Sequence, residues 1–551
     1  MGIRVYEALA RAFAAEGVTH TFTLMGDGNK AWLVSMAEQR GMQLINARHE
    51  GAALAMADGY ARASGKVGVC SVTYGSGLTQ LATSLMVARR HRSPIVVFCP
   101  DTGTPDKGMG GQVDIDQRAF IEASGGVFHA LRSAATAAED VRLAFHKARS
   151  MQMPVVLNAP IDIQEDDYPA DWDEWPYAPE AMLADPQRPR PDPTVVARAA
   201  DLLVSAERPI IIAGRGAVQS GAREAIERLG SLTGALFATT LQAKGWLDDS
   251  TFSLGIAGGY LLEPRGHLFA EADCVIAVGA SLNTYTTVGG YLFPSARVVQ
   301  IDLEANPLID LRRRAEVVIR ADAREAVDEI AAALERAGHR RRGYRTPEVA
   351  AMLNPNPGLA ALAAAPGSAA PGEVDPRQLF ITLDRSLPPS GWFTVGVGNF
   401  TSFAVMYMTN PSGRVFDVNL DFITIGQALP TAIGAALACP GRDIVAFEGD
   451  GSFMMHVQEL DTAVRHGARL LVIVLNDQAL GAEYHKLLAA GMDPRQSLIP
   501  TPDLASLAEA FGARGLRVSC LEEAEAVAPA FKEARGPVVV DARIAKVAGP
   551  L

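Results

Sequence analysis

IVAFEGDGS (Ile444–Ser452) and LLVIVLND (Leu470–Asp477) are the two stretches whose reading decides the fold. Each is an apolar run with the look of a buried parallel strand, and each ends on acidic and small polar residues. Phe453 to His466 lies between them and has the length of a helix, so the segment reads as a β-α-β unit. The right-handed crossover of such a unit brings the carboxyl ends of both strands to one sheet edge, where open α/β folds bind ligands. Asp450 and Asp477 would face one another there. Two side-chain oxygens so placed suit a small hard cation such as Mg2+, which commonly shares its shell with phosphate oxygens. Gly449 and Gly451 let the backbone approach an anion closely, and Ser452 with the following helix N-terminus supplies donors. A metal-bridged diphosphate is the ligand this pattern implies.

Outward from this segment the same alternation recurs. In the first 165 residues, strand-like runs at His20 to Met25, Gln43 to Asn46, Val67 to Thr73, Pro94 to Cys99 and Pro154 to Ala159 alternate with helix-length segments. A second set follows at Pro209 to Ala213, Ala235 to Thr239, Cys274 to Val278 and Arg297 to Ile301. The proline-rich stretch Ala184 to Pro193 separates the two. From Arg336 the chain turns basic and then Ala/Pro/Gly-rich up to Pro376, which reads as a surface linker. The expected organisation is α/β with three doubly wound parallel-sheet domains: an N-terminal domain over 1–183, a central Rossmann-like domain over 194–340, a linker over 341–376 and a C-terminal domain over 377–551. A length of 551 residues accommodates three domains of roughly 180 residues each.

Composition narrows the function classes. The chain is 48% hydrophobic and 20% charged, with no apolar run long enough to span a bilayer, as in a soluble globular protein. A formal net charge of -12 argues against nucleic acid as a partner. Cys70, Cys99, Cys274, Cys439 and Cys520 show no CxxC spacing and read as reduced thiols, without a disulfide framework or zinc site. The amphipathic pattern Val5 to Ala15 at the N-terminus lacks the features of a signal peptide, so a cytoplasmic location is expected.

These residues resemble the thiamine diphosphate enzymes of the acetolactate synthase and pyruvate decarboxylase superfamily. Gly449 to Ser452, Gln458-Glu459-Leu460 and Asn476-Asp477 are similar to that family's cofactor signature, and Gly396-Val397-Gly398-Asn399, Ile425-Gly426 and Leu429 to Ala435 to its other diphosphate-domain landmarks. Arg48-His49-Glu50, Ala57 to Ala61 and Gly75-Ser76-Gly77 resemble its pyrimidine-domain motifs. The middle of the chain matches more loosely, through Ala213 to Gly216, Ala243-Lys244-Gly245 and Gln300-Ile301-Asp302. The resemblance implies that the outer domains bind the pyrimidine and diphosphate ends of thiamine diphosphate. Glu50 would bond the aminopyrimidine nitrogen, at a position where burial would keep its carboxyl able to share a proton. Gly75, Asn399, Phe400, Ile425, Gly449, Asp450, Gly451, Ser452 and Asp477 would line the cofactor. Asp450, Asp477 and the backbone oxygen of Ala479 would take Mg2+, with Asp477 standing where the family more commonly has asparagine. That second carboxylate adds negative charge beside a diphosphate and could call for a compensating cation, and Asn476 stands as the alternative ligand. Because the family shares each site between two chains, the resemblance also implies a homodimer at minimum, with a homotetramer as the fuller assembly.

For the reaction, the resemblance points to a non-oxidative decarboxylase and carboligase acting on a 2-oxo acid through a C2 ylide and an enamine. Asp27 and Glu483 match carboxylates of the decarboxylase branch, where acids protonate the enamine and release an aldehyde. Gln112 instead is similar to the glutamine of the acetolactate synthase branch, and the paired histidines of the pyruvate decarboxylases are absent. The alternatives are an acetolactate synthase-type transferase, an FAD-dependent enzyme like pyruvate oxidase, and a non-catalytic homologue. The Gly214-Arg215-Gly216 turn is too weak a glycine signal to assign FAD to the middle domain.

Overall fold

The computed structural model describes residues 2–549 except 171, 173–176, 183–186, 263–264, 305–307, 310–312, 355–368 and 411–412. Three six-stranded sheets follow one another along the chain, and every neighbouring pair of strands within them is parallel. The first contains β1 (His20–Thr23), β2 (Gln43–Asn46), β3 (Gly68–Ser71), β4 (Ile95–Asp101), β5 (Val127–Ala130) and β6 (Pro154–Pro160), in the order β2-β1-β3-β4-β6-β5. The second contains β7 (Pro209–Ala213), β8 (Leu236–Thr239), β9 (Ser253–Ile256), β10 (Cys274–Val278) and β11 (Arg297–Ile301). A short antiparallel pair, β12 (Leu308–Ile309) and β13 (Arg313–Arg314), precedes its last strand, β14 (Val317–Ile319). The order β14-β11-β10-β7-β8-β9 is the Rossmann arrangement. The third contains β15 (Gly391–Val395), β16 (Arg414–Val418), β17 (Ile444–Gly449), β18 (Leu471–Asn476), β19 (Arg514–Val518) and β20 (Val538–Arg543), in the order β16-β15-β17-β18-β20-β19.

The first and third sheets therefore share one strand order. In each, the order reverses between the first and third strands, which leaves a crevice outside the carboxyl ends of β1 and β3 in one sheet and of β15 and β17 in the other. The strands found here but unnamed in the sequence reading include β5 and β19, whose residues are only partly covered and so lack a continuous apolar run.

The helix expected over Phe453 to His466 is two helices, Asp450–Met455 and Glu459–Arg465. The break falls at His456, whose backbone leaves helical geometry. Its imidazole is buried against the His49 ring at 5.4 Å, and burial followed by the His49 charge holds its pKa down to about 4. Within the expected linker, Pro347–Leu353 forms a helix, and Tyr344, Val349 and Leu353 are buried in the core of the second unit. The remainder of that stretch at 355–368 lies outside the described residues, as do 184–186 of the expected proline-rich linker.

The first and third units meet through helices Glu50–Ser64 and Ala428–Ala438 and share one hydrophobic core. Backbone meets backbone at this crossing. A Cβ at Gly59 would lie 2.0 Å from the Thr431 carbonyl oxygen, and one at Gly434 would lie 1.9 Å from that of Met56. Among the described residues no helix is long and apolar enough to cross a membrane.

Candidate active site

The crevice outside β15 and β17 opens into a cavity of about 1680 Å3. Asn399 and Phe400 reach it from the turn after β15, Gly449 to Ser452 from the end of β17, and Asp477 and Ala479 from the end of β18. Ile425 and Glu483 line it as well. Asp450 and Asp477 are buried, and burial raises both carboxyls above the usual carboxylate range; for Asp450 the neighbouring Asp477 charge adds to the shift. Two buried carboxylates that penalise each other's charge form an all-oxygen donor set that a divalent cation would relieve, so these residues fit such an ion.

Asn476 faces the other way. Its amide nitrogen donates to Asp541 at 2.8 Å, and its oxygen accepts from the Gln478 N–H and the Thr501 hydroxyl. Asp477 instead accepts from the Ala479 N–H at 3.1 Å, leaving its second oxygen beside Gly481. A Cβ on Gly481 would sit 2.6 Å from that oxygen and 3.2 Å from Cβ of Asn399. Gly481→Ala should therefore push the Asp477 carboxylate out of place and weaken Mn2+ binding about tenfold, read by calorimetry on cofactor-free protein.

Ser452 does more than offer a donor to an anion. Its hydroxyl donates to Glu448 and accepts from the Gly426 N–H at 2.6 Å, while Glu448 also accepts from the Leu429 N–H at 2.7 Å. These bonds tie the end of β17 to the segment carrying Ile425, whose neighbours Ile423 and Gly426 have positive φ. Burial pushes the Glu448 carboxyl up to about 7. The sequence reading passed over Glu448, although an acidic residue inside IVAFEG was the available signal.

The crevice of the first sheet gathers the other predicted residues. Asp27 follows β1, Glu50 begins the helix after β2, and Gly75 follows β3. Gly75 has φ +60 and ψ -106, and a Cβ there would lie 2.3 Å from the Val113 carbonyl oxygen, so glycine is required twice over. Its N–H donates to Gln117 at 3.1 Å. Buried Gln117 is fixed in turn by donating to the Pro100 carbonyl and to Asn158 at 2.9 and 2.6 Å. The residue packed on Gly75 is thus Val113, while Gln112 is exposed on the loop beside it. Asp27 pairs with Lys30 at the surface, and Glu50 is half-buried near Gly77. Asp27, Glu50, Gly75 and Gln112 do not line the cavity that holds Asp450 and Asp477. Within one chain the two groups of predicted residues stand apart.

The chain matches the thiamine pyrophosphate enzyme N-terminal binding domain over residues 3–120, the central domain over 196–330 and the C-terminal binding domain over 396–542. It is 30% identical to the acetolactate synthase of Mycobacterium bovis, across 97% of this chain and 87% of that protein. The chain belongs to the thiamine pyrophosphate enzyme family. Two further relatives are the sulfoacetaldehyde acetyltransferase of Alcaligenes xylosoxydans xylosoxydans, 29% identical across 96% of this chain and 90% of that one, and the probable acetolactate synthase large subunit of Methanocaldococcus jannaschii, 26% identical across 94% and 88%.

In this thiamine pyrophosphate enzyme the segment that carries Glu50 is fastened to the chain's own third unit. The Arg48 N–H donates to buried Glu459 of the second short helix at 3.1 Å, and Arg48 pairs with Asp461 at 2.6 Å. The cavity also continues to the carboxyl edge of the second sheet, past Arg215 and Gly216 after β7 and Asp302 after β11. At its other end Glu483 and Lys486 both line the wall and form an ion pair at 3.4 Å. Lys486 was not singled out from the sequence.

Proposed function

We propose that this protein is a thiamine diphosphate- and Mg2+-dependent enzyme that cleaves a 2-oxo acid or a related carbonyl donor and hands the retained fragment to an acceptor. The observation that carries this reading is the pair of buried carboxylates, Asp450 and Asp477, at the crevice of the third sheet. Asp450, Asp477 and the Ala479 carbonyl would hold Mg2+, and Asn399, Gly449 and Gly451 would border the diphosphate, with Phe400 packed beneath Gly449. Bound thiamine diphosphate supplies a carbanion equivalent that adds to a carbonyl and then accepts the electrons of the bond that breaks. Glu50 would hold a proton at the pyrimidine, delivered from the first unit of a second copy, because the two half-sites stand apart within one chain. A homodimer at minimum follows from that division, and the family resemblance adds a homotetramer as the fuller form.

Transfer is favoured over simple release by the state of the two candidate acids. Asp27 and Glu483 are exposed and each pairs with a lysine, Lys30 and Lys486, instead of standing sheltered from water as an acid set aside for the reaction would. The names of the relatives, an acetolactate synthase and a sulfoacetaldehyde acetyltransferase, support the same direction. The second reading, release of an aldehyde, rests on Glu483 lining the cavity. The segment of cavity beside the second sheet gives room for a nucleotide such as FAD, and the absorbance of the purified protein near 450 nm tests that. Full-length protein loaded with thiamine diphosphate and Mg2+ should turn a panel of 2-oxo acids into acyloin or acetolactate-like products when an acceptor carbonyl is present. Aldehyde as the sole product, whatever acceptor is added, would favour the second reading, and no product from any donor would reject both.

A further inference from the structure

The chain crosses behind the crevice of the third sheet after its last strand. β20 pairs with β18 in a register that sets Arg543 beside Asn476, and the Ile544 N–H then donates to the Asn476 carbonyl at 3.1 Å. The following residues leave the sheet and are fastened twice. The Ala545 N–H donates to the Val374 carbonyl at 2.9 Å. Buried Asn399 then grips the segment with both ends of its side chain: its amide nitrogen donates to the Val547 carbonyl at 2.7 Å, and its oxygen accepts from the Gly549 N–H at 2.9 Å. Gly549 is packed so closely that a Cβ would lie 2.0 Å from the Ser402 hydroxyl, which itself donates to the Asn399 carbonyl at 2.9 Å. The turn held in this way touches both acid-bearing segments. A Cβ on Gly481 would lie 3.2 Å from Cβ of Asn399 and 2.6 Å from the Asp477 carboxylate, and one on Gly449, the residue before Asp450, would lie 3.3 Å from the Phe400 ring.

We propose that Val547–Gly549 is a positioning strap for the metal and diphosphate site, and that the Asn399 side chain serves this strap rather than the cofactor. This rests on the reading that Asp450 and Asp477 hold a divalent cation. A buried amide that loses both of its partners is costly to keep in place, so the Asn399 turn would rearrange without the strap. Close packing passes that shift on, through Gly481 to Asp477 on one side and through Phe400 to the Gly449–Asp450 turn on the other. The strap itself stands outside the cavity, whose wall is formed here by Gly398, Asn399 and Phe400. Its part is to fix the spacing of the groups that bind.

The test reads direct binding by calorimetry rather than turnover. In full-length Gly549→Val, thiamine diphosphate at saturating Mg2+ should bind about tenfold more weakly and Mn2+ alone about threefold more weakly. A chain shortened to end at Lys546 should show the same losses, and it carries the test if Gly549→Val fails to fold. Asn399→Ala alone should cost about as much cofactor affinity as the shortening, and adding it to the shortened chain should cost little more, because both remove one linkage. If the Asn399 side chain bound the cofactor itself, the two losses would multiply. Multiplied losses, unchanged affinities in both strap variants, or losses that only follow a lower unfolding midpoint of the ligand-free protein would overturn the strap. Asp450→Ala separates the two readings: if Mn2+ still binds that variant as it binds the parent, the metal site is wrong and the strap falls with it, whereas loss of Mn2+ there with inert strap variants rejects only the strap.

Discussion

Glu50→Gln and Asp450→Ala should each reduce turnover by at least about a thousandfold, and their co-expressed mixture should regain about a quarter of the parent specific activity. The recovery follows from where the residues sit. Glu50 begins a helix at the crevice of the first sheet, Asp450 begins the helix after β17 at the crevice of the third, and one cavity does not contain both. If each working site takes Glu50 from one copy and Asp450 from another, a mixed dimer has one site damaged on both sides and one site intact. Random pairing makes half the dimers mixed, which gives the quarter. Separately purified variants, and a doubly substituted chain paired with itself, provide the baseline. A mixture as inactive as its components would mean that one chain completes its own site, and would reject the shared arrangement. Glu50→Gln keeps the size and hydrogen-bonding reach of the side chain, so its loss reports the ionisable carboxyl rather than packing.

The parts legible in the sequence were those written into short local patterns. Apolar runs such as LLVIVL and PIII mark buried parallel strands because both of their faces are covered, and the three sheets could be placed from them. GDGS and Asn476-Asp477 were informative for a similar reason: the glycines and acids needed at a strand's carboxyl end are adjacent in the chain. What the sequence hid depends on contacts between distant segments. Gln117 carries no motif, yet it holds Gly75 from 42 residues away. Glu448 reads as an odd residue in an apolar strand until Gly426, Leu429 and Ser452 are seen to converge around it. Asn476 and Asp477 are equivalent candidates on paper, and only the alternation of the strand end turns one toward Asp541 and the other toward the cavity.

Gly434→Leu should destabilise the protein by about 3 kcal/mol or more, the largest loss expected from any single substitution outside the cavity. A Cβ at Gly434 would meet the carbonyl oxygen and carbon of Met56 at 1.9 and 2.7 Å, and Gly59 meets Thr431 in the same way from the opposite helix. These are backbone atoms inside a helix, which cannot rotate aside as a side-chain end can. The helices Glu50–Ser64 and Ala428–Ala438 must therefore separate, and separation opens the shared core around Ala52, Met56, Ala432 and Ala435. The functional cost has the same origin. Glu50 is the first residue of one helix, and Ile425 lies three residues before the other, so spreading the pair displaces parts of both half-sites. Cofactor affinity should fall together with the apparent unfolding midpoint, measured at one heating rate because a chain of this size need not unfold reversibly. Gly536→Ala, where an added Cβ meets nothing within 4 Å, should stay within about 0.5 kcal/mol of the parent. If Gly434→Leu behaved like Gly536→Ala, the close helix crossing would be absent in solution, and the intrachain link between the two half-sites would have to lie elsewhere.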